Sequence, residues 1–302
     1  MSSFLQIQSI SKLHQMVGYE KPKHPLITVL DYAKIKASAE HFNVKIVTDL
    51  YIISLKSPAP KVLQYGRQYY DFEEGTMMFM APGQVFSVGE FNEQIQYEGW
   101  GLWFHPDLIV NTALGKKIKD FSFFAYAVSE ALHLSEDEKN TLTVIVDHIQ
   151  KEYNGNIDQY SHNVIITSIE QLLNYSQRFY GRQFITRKKQ NSDLLSAFED
   201  LVSAYFKSAE VENKGLPSVE YFAGQLNLSA SYLSDLLKKE TGKTTKEYLQ
   251  IQIIETAKNR LLNSRDTVNE IAYSLGFEYP QYFIRLFKSK TGMTPLEYRQ
   301  FN

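Results

Sequence analysis

Between Ser218 and Arg299 the chain repeats itself. The first copy runs Val219, Phe222, Ala223, Leu226, then Asn227-Leu228-Ser229, then Leu233, Leu236, Leu237, and closes on Thr241-Gly242. The second runs Val268, Ile271, Ala272, Leu275, then Gly276-Phe277, then Phe283, Leu286, Phe287, and closes on Thr291-Gly292. The offset is 49 residues before the turn and 50 after it, so the second turn carries one extra residue. A fixed internal period restricts the fold to copies of one supersecondary unit packed on each other.

Each copy reads as helix, tight turn, helix. Val219, Phe222, Ala223 and Leu226 fall at i, i+3, i+4 and i+7, one face of an α-helix. The turn needs a residue that accepts positive φ, which Gly276 does freely and Asn227 does better than most. Ser229 is suited to N-cap the next helix of the first copy. In the second copy the helix opens near Tyr279, with Pro280 at its first position. Gly242 and Gly292 are suited to end these helices. The two units therefore span about 218–240 and about 267–290.

Two helices joined this way form the helix-turn-helix unit, whose second helix lies in the DNA major groove. Any small helical bundle has similar stripes, but matched turns and caps in two copies favour DNA. The segment between the copies adds a geometric argument. Thr244 and Glu247 read as a capping box, and Tyr248, Ile251, Ile254, Ala257 and Leu261 as the stripe of one helix to Asn263. About 20 residues at ~1.5 Å each give a rod of roughly 30 Å. One turn of DNA is roughly 34 Å, so such a rod could set two reading helices in successive major grooves.

Further motifs make the stretch specific. Gly276-Phe277, Tyr282 through Lys288, and Thr291-Gly292-Met293-Thr294-Pro295-Leu296-Glu297-Tyr298-Arg299 resemble the C-terminal signature of the arabinose-regulator (AraC/XylS) family of bacterial transcription regulators. Tyr232-Leu233-Ser234, Lys238 through Gly242, and Glu255-Thr256-Ala257-Lys258 are similar to the first half of the same domain. The resemblance covers roughly Ser192 to Phe301. It implies a cytoplasmic, nucleoid-associated regulator, activator being the usual sign. The implied partners are double-stranded promoter DNA, RNA polymerase and a small-molecule effector, and the implied assembly is a homodimer.

Helical residues off the core stripe are the candidates to meet bases. They are Ser231, Ser234 and Asp235 in the first reading helix and Gln281, Tyr282 and Arg285 in the second, with Lys238 and Lys288 for phosphate. Arginine pairs with guanine O6 and N7, and glutamine with adenine. Relatives commonly carry a basic residue where Asp235 stands. An acid there repels phosphates unless it accepts from a cytosine amino group.

With 302 residues, two domains are the better expectation. There is no cysteine, which excludes disulfides and thiolate metal sites. No basic stretch followed by an apolar core opens the chain, and no apolar run approaches the length of a membrane span, so neither a signal peptide nor a span is expected. Net charge is −2, and 191–302 holds 13 Lys/Arg against 14 Asp/Glu. Most nucleic-acid binders are basic, so here positive charge must act by placement. Lys238, Lys239, Lys243 and Lys246 follow the first reading helix, and Arg285, Lys288 and Lys290 lie on or after the second. Arg178, Arg182, Arg187, Lys188 and Lys189 crowd the segment ahead of the repeats, where either solvated faces or phosphate contacts would suit them.

Residues 1–110 read as β-rich. The expected strands are Lys45–Leu55, Leu26–Asp31, Thr76–Ala81, Val85–Val88 and Ile95–Phe104, parted by Ser57-Pro58-Ala59-Pro60, Glu74-Gly75 and Pro82-Gly83. Glu74 through Gln84 and Gly99 through Leu108 are similar to the jelly-roll (cupin-like) sensor domain often fused to this DNA-binding module. Tyr51, Tyr65, Tyr69, Tyr70, Phe72, Phe79, Phe86, Tyr97, Trp100 and Trp103 would line an apolar barrel mouth or fill the core. Residues 111–190 turn helical, a linker carrying possible dimerisation helices. Ser135 to Tyr153 has a Ser135/Glu138 capping box with Leu142, Ile145, Val146 and Ile149. His162 to Tyr180 carries Ile165, Ile166, Ile169, Leu172 and Leu173, after a break at Asn154-Gly155-Asn156.

The expected architecture is thus multidomain α+β: a jelly-roll at 1–110, a helical linker at 111–190, and an all-α DNA-binding domain at 191–302 with two helix-turn-helix motifs. The alternatives are a cupin-type metal enzyme with a helical appendage and a protein-interaction adaptor. Metal-dependent cupins need a close His-x-His pair, and His14, His24, His41, His105, His133, His148 and His162 are scattered. His105 reads as a strand-end residue. No phosphate loop or nucleophile elbow occurs. No catalytic residue, metal or cofactor is therefore assigned, and no effector-binding residue can be named.

Overall fold

The computed structural model describes residues 4–35, 45–57, 75–87, 98–156, 158–208, 211 and 215–301. The chain forms two compact units, Met1–Arg187 and Lys188–Asn302. Tyr65, Tyr69, Tyr70, Phe72, Tyr97 and His41 lie outside the described residues, as do the turn residues Pro58-Ala59-Pro60 and Glu74.

In the first unit the strands are β1 (Phe4–Ile7), β2 (Ile27–Asp31), β3 (Lys45–Thr48), β4 (Tyr51–Ser57), β5 (Gly75–Met80), β6 (Val85–Ser87), β7 (Glu98–Phe104) and β8 (Leu132–Leu134). The helices are α1 (Ile10–Met16), α2 (Ala113–Lys117), α3 (Glu136–Asn154) and α4 (Ser161–Thr186). The described strands make a three-stranded sheet, β1-β3-β6, and a five-stranded sheet, β2-β7-β4-β5-β8.

The expected single strand over Lys45–Leu55 is in fact two strands in different sheets. The chain breaks at Asp49-Leu50, where Asp49 N donates to Ile7 O and Leu50 N to the Thr48 hydroxyl. These bonds satisfy the turn without glycine or proline.

Alternation along β7 divides the core. Trp103 stands opposite Thr28 and Ile52, so it shares a face with Leu30 and Gly101. That face joins Ile46 of β3 and Ile10 and Leu13 of α1 in one buried cluster. The other face carries Trp100, whose Nε1 donates to Thr143 of α3 at 3.1 Å. Phe79, Phe123, Phe124 and Tyr180 pack ring on ring.

The segment expected as a linker belongs to this first unit. It contributes β8, and its helices satisfy both edges of the five-stranded sheet. An edge strand leaves backbone N–H groups without ladder partners. On β2, Val29 N donates to Tyr153 Oη of α3 at 2.9 Å. On β8, His133 N donates to Gln183 Oε1 of α4 at 2.8 Å, and Gln183 Nε2 returns a bond to Ala131 O. α3 opens on the expected Ser135/Glu138 capping box, buries Leu142, Ile145, Val146 and Ile149, and ends at Gly155. α4 runs six residues beyond the expected Tyr180, to Thr186.

The second unit holds α5 (Lys188–Lys207), α6 (Val219–Gln225), α7 (Ala230–Thr241), α8 (Thr245–Asn263), α9 (Val268–Ser274), α10 (Pro280–Thr291) and α11 (Pro295–Phe301). One core runs through it, with Phe198, Phe222, Leu233, Leu237, Ala257, Ile271, Phe283 and Phe287 buried. On α8 the buried face is Leu249, Ile253, Ile254, Ala257 and Leu261, while Tyr248 and Ile251 of the expected stripe are half-buried. α8 packs against α5, α7, α9, α10 and α11. A helix surrounded on several sides does not show one clean stripe.

Candidate nucleic-acid interface

The duplication visible in sequence is also a duplication of hydrogen bonds. Asn227 sits at φ +56° and Gly276 at φ +85°, the left-handed turns required between the paired helices. Leu228 N donates to Ala223 O, and Phe277 N to Ala272 O. Ser229 caps α7 by accepting from Tyr232 N. α10 opens without a side-chain cap, its Pro280 filling the first turn where an N–H would be unsatisfied.

Both second helices end alike, on Gly242 (φ +74°) and Gly292 (φ +79°). The Thr241 hydroxyl donates to Leu237 O and the Thr291 hydroxyl to Phe287 O, each 2.8 Å. Capping boxes follow at Thr244/Glu247 and Thr267/Glu270, and Thr294 N donates to Glu297 at 2.7 Å. The Thr244 backbone bond holds the Glu247 carboxyl below its ordinary value, and Lys290 and Lys238 add to the lowering.

The candidate base-facing residues divide by helix. On α10, Gln281, Tyr282 and Arg285 are all exposed, as is Lys288. The Arg285 guanidinium lies over the Tyr282 ring, 6.0 Å from its centroid, and Tyr279 meets Tyr282 edge-on at 5.9 Å. A cation held over an aromatic face is pre-oriented. On α7, Ser231, Ser234 and Asp235 are half-buried, while Lys238 is exposed. The Ser234 hydroxyl is engaged with Thr245 Oγ1 at 3.1 Å, tying α7 to the start of α8.

Tyr279 is expected from the sequence only as a helix start. It is 48 % exposed beside Tyr282, and its place three residues earlier was the available signal. Arg182, grouped with basic residues that could meet phosphate, has its charge engaged inside the first unit. Its guanidinium pairs with Glu138 at 2.7 Å and donates to His133 O at 2.6 Å.

Elsewhere, His14 is buried between Glu20 O and the Thr28 hydroxyl. His105 caps a short 3₁₀ turn by accepting from Asp107 N. Burial, and secondarily His162, lowers the His24 pKa. Among the described residues no group of three or more His, Asp or Glu is placed to hold a metal ion. Among the same residues no helix is long and apolar enough to cross a membrane.

Paired helices, left-handed turns and repeated caps define a helix-turn-helix domain, and residues 222–300 match the family described as "Helix-turn-helix domain". The resemblance to arabinose-type regulators holds for this C-terminal part. The chain is 33 % identical over 107 residues to the "Bifunctional transcriptional activator/DNA repair enzyme AdaA" of Bacillus subtilis, covering 35 % of this chain and 49 % of that protein. It is 30 % identical over 143 residues to the Escherichia coli regulator YijO, 47 % of each chain. It is 31 % identical over 107 residues to the "HTH-type transcriptional activator RhaR" of Yersinia pseudotuberculosis, 35 % of this chain and 33 % of that one. The chain therefore spans about half or less of the length of these relatives. A solved C-terminal domain of the response regulator yesN from Fusobacterium nucleatum is 29 % identical, covering 35 % of this chain and 98 % of that one, with a TM-score of 0.32.

Proposed function

We propose that this chain is a transcription regulator whose C-terminal unit binds promoter DNA in a sequence-specific manner. The observation that carries the reading is the pair of helix-turn-helix stretches with left-handed turns at Asn227 and Gly276 and matching glycine ends at Gly242 and Gly292, joined through α8. At 19 residues α8 is about 28 Å long, close to one turn of DNA. Exposed Lys238 and Lys288 stand at matching places after the two turns, suited to phosphate.

In this reading the first unit is a jelly-roll sensor. Two sheets enclosing one apolar cluster support it. A small-molecule signal would act by binding two arrangements of the protein with different affinity. Exposed Val144 on α3 and Val164 on α4 suit the homodimer contact expected of these helices. RNA polymerase is the proposed protein partner, and the nucleoid, in the cytoplasm, the proposed place of action. No catalytic step is assigned.

The test is equilibrium binding of the full chain to labelled duplexes across a salt series. Phosphate contacts require log K to fall linearly with log salt. A selected duplex should bind ~10³-fold or more tighter than random sequence. Affinity that ignores salt would refute DNA binding and favour a protein-binding adaptor.

A further inference from the structure

The two copies share a pattern but not a surface. At the offset of 50, Ser231 corresponds to Gln281, Tyr232 to Tyr282 and Asp235 to Arg285. The tyrosines make the contrast plain: Tyr282 is 57 % exposed and Tyr232 only 4 %. Gln281 and Arg285 are exposed, whereas Ser231 and Asp235 are half-buried. α5 packs against α7, where buried Asn191 donates to Glu240 at 3.2 Å. Ser234, which also faced outward in the helical pattern, is engaged with Thr245.

Charge follows the same division. Asp235 would bring a carboxylate toward phosphates, and Arg285 at the matching place brings a fork of N–H donors. Arginine reads guanine O6 and N7, glutamine reads adenine, and an aromatic ring meets the thymine methyl. α10 presents all three side-chain types on exposed positions. α7 presents two exposed ammonium groups, Lys238 and Lys239, point charges in its last turn suited to phosphate.

We infer that base reading is concentrated in α10, through Gln281, Tyr282 and Arg285, and that α7 is a phosphate anchor. The inference rests on the DNA-binding reading above. Each chain then recognises one short major-groove block with a guanine contact at its centre, rather than two different blocks one helical turn apart.

Selection of randomised duplexes by the full-length protein, followed by sequencing, tests it. One contiguous informative block is expected. The same block repeated supports the inference equally, since a second copy of the chain would give that. Arg285→Lys keeps the charge and loses the fork, so preference at one position should drop roughly ten-fold while the salt slope stays unchanged. Ser231→Ala and Asp235→Asn should leave the selected block as it is, and Asp235→Asn should tighten binding to all duplexes together. Two blocks of different sequence about 10 base pairs apart would overturn the inference, as would a changed base preference in Asp235→Asn. Salt-dependent binding with no selected block would overturn it while leaving DNA binding intact. Salt-independent binding with no selected block would overturn the regulator reading as well.

Discussion

Gly276→Ala should damage the second unit more than the same change at any other helix end. At φ +85° an alanine carries left-handed strain of about 1–2 kcal/mol. Space is the second cost. A Cβ on Gly276 would lie 2.6 Å from Gly215 C and 2.9 Å from Leu216 N, both backbone atoms that cannot rotate away. Overpacking of this kind adds about 1–3 kcal/mol. The total is about 2–5 kcal/mol. Gly292 is the internal control: its φ is +79°, and nothing lies within 4 Å of its Cβ position. Gly292→Ala should therefore show the strain alone, about 1–2 kcal/mol. Calorimetry of the full chain would follow the transition that both substitutions lower. At roughly 4 °C per kcal/mol for a unit of this size, Gly276→Ala should lower it by about 8–20 °C and Gly292→Ala by about 4–8 °C. Equal shifts would refute the argument, because the Gly215 contact would then contribute nothing.

In the first unit, Gln183→Leu strands His133 N and Ala131 O beside a buried site, and should cost about 2 kcal/mol in urea unfolding. Arg182→Met should cost a similar amount, about 2 kcal/mol, by leaving Glu138 without its ion pair. Thr267→Ala removes the cap of α9 and should cost about 1 kcal/mol, read from the urea midpoint of the second unit. The capping glutamates also give that unit an acid limb. Glu247, Glu270 and Glu297 are each held below 4.5 by backbone bonds from their threonines. A depressed carboxyl stabilises above its unfolded value, and that stability is lost as pH falls from about 4.5 through the folded value. A Glu247/Glu270/Glu297 triple glutamine variant, which keeps an acceptor but cannot titrate, should show a flatter acid limb; an unchanged slope would place the acid sensitivity elsewhere.

The second unit was legible in sequence because its punctuation is local. Asn227 and Gly276 set the turns, Ser229 and Pro280 start α7 and α10, and Thr244 with Glu247 starts α8. Each of these acts within a few residues of itself. What was missed depends on partners far along the chain. The break at Asp49 is made by Ile7, and Arg182 meets a carboxylate 44 residues away. Leu249 and Ile253 are buried because helices from both copies surround α8, which no single-helix periodicity reveals. The candidate site was legible as a list of outward positions. The unequal exposure of Tyr232 and Tyr282 was not, because identical residues at equivalent places differ only through their neighbours.

Gly215 and Leu216 belong to the stretch leading into the first copy, yet they brace the turn of the second. Tyr205 Oη donates to Gly215 O at 2.9 Å and fixes that brace to α5. The halves are therefore interlocked, like a clasp whose tongue comes from the opposite side. A chimera that imports a relative's second half must bring its matching lead-in segment, or the grafted hinge will lack its backstop.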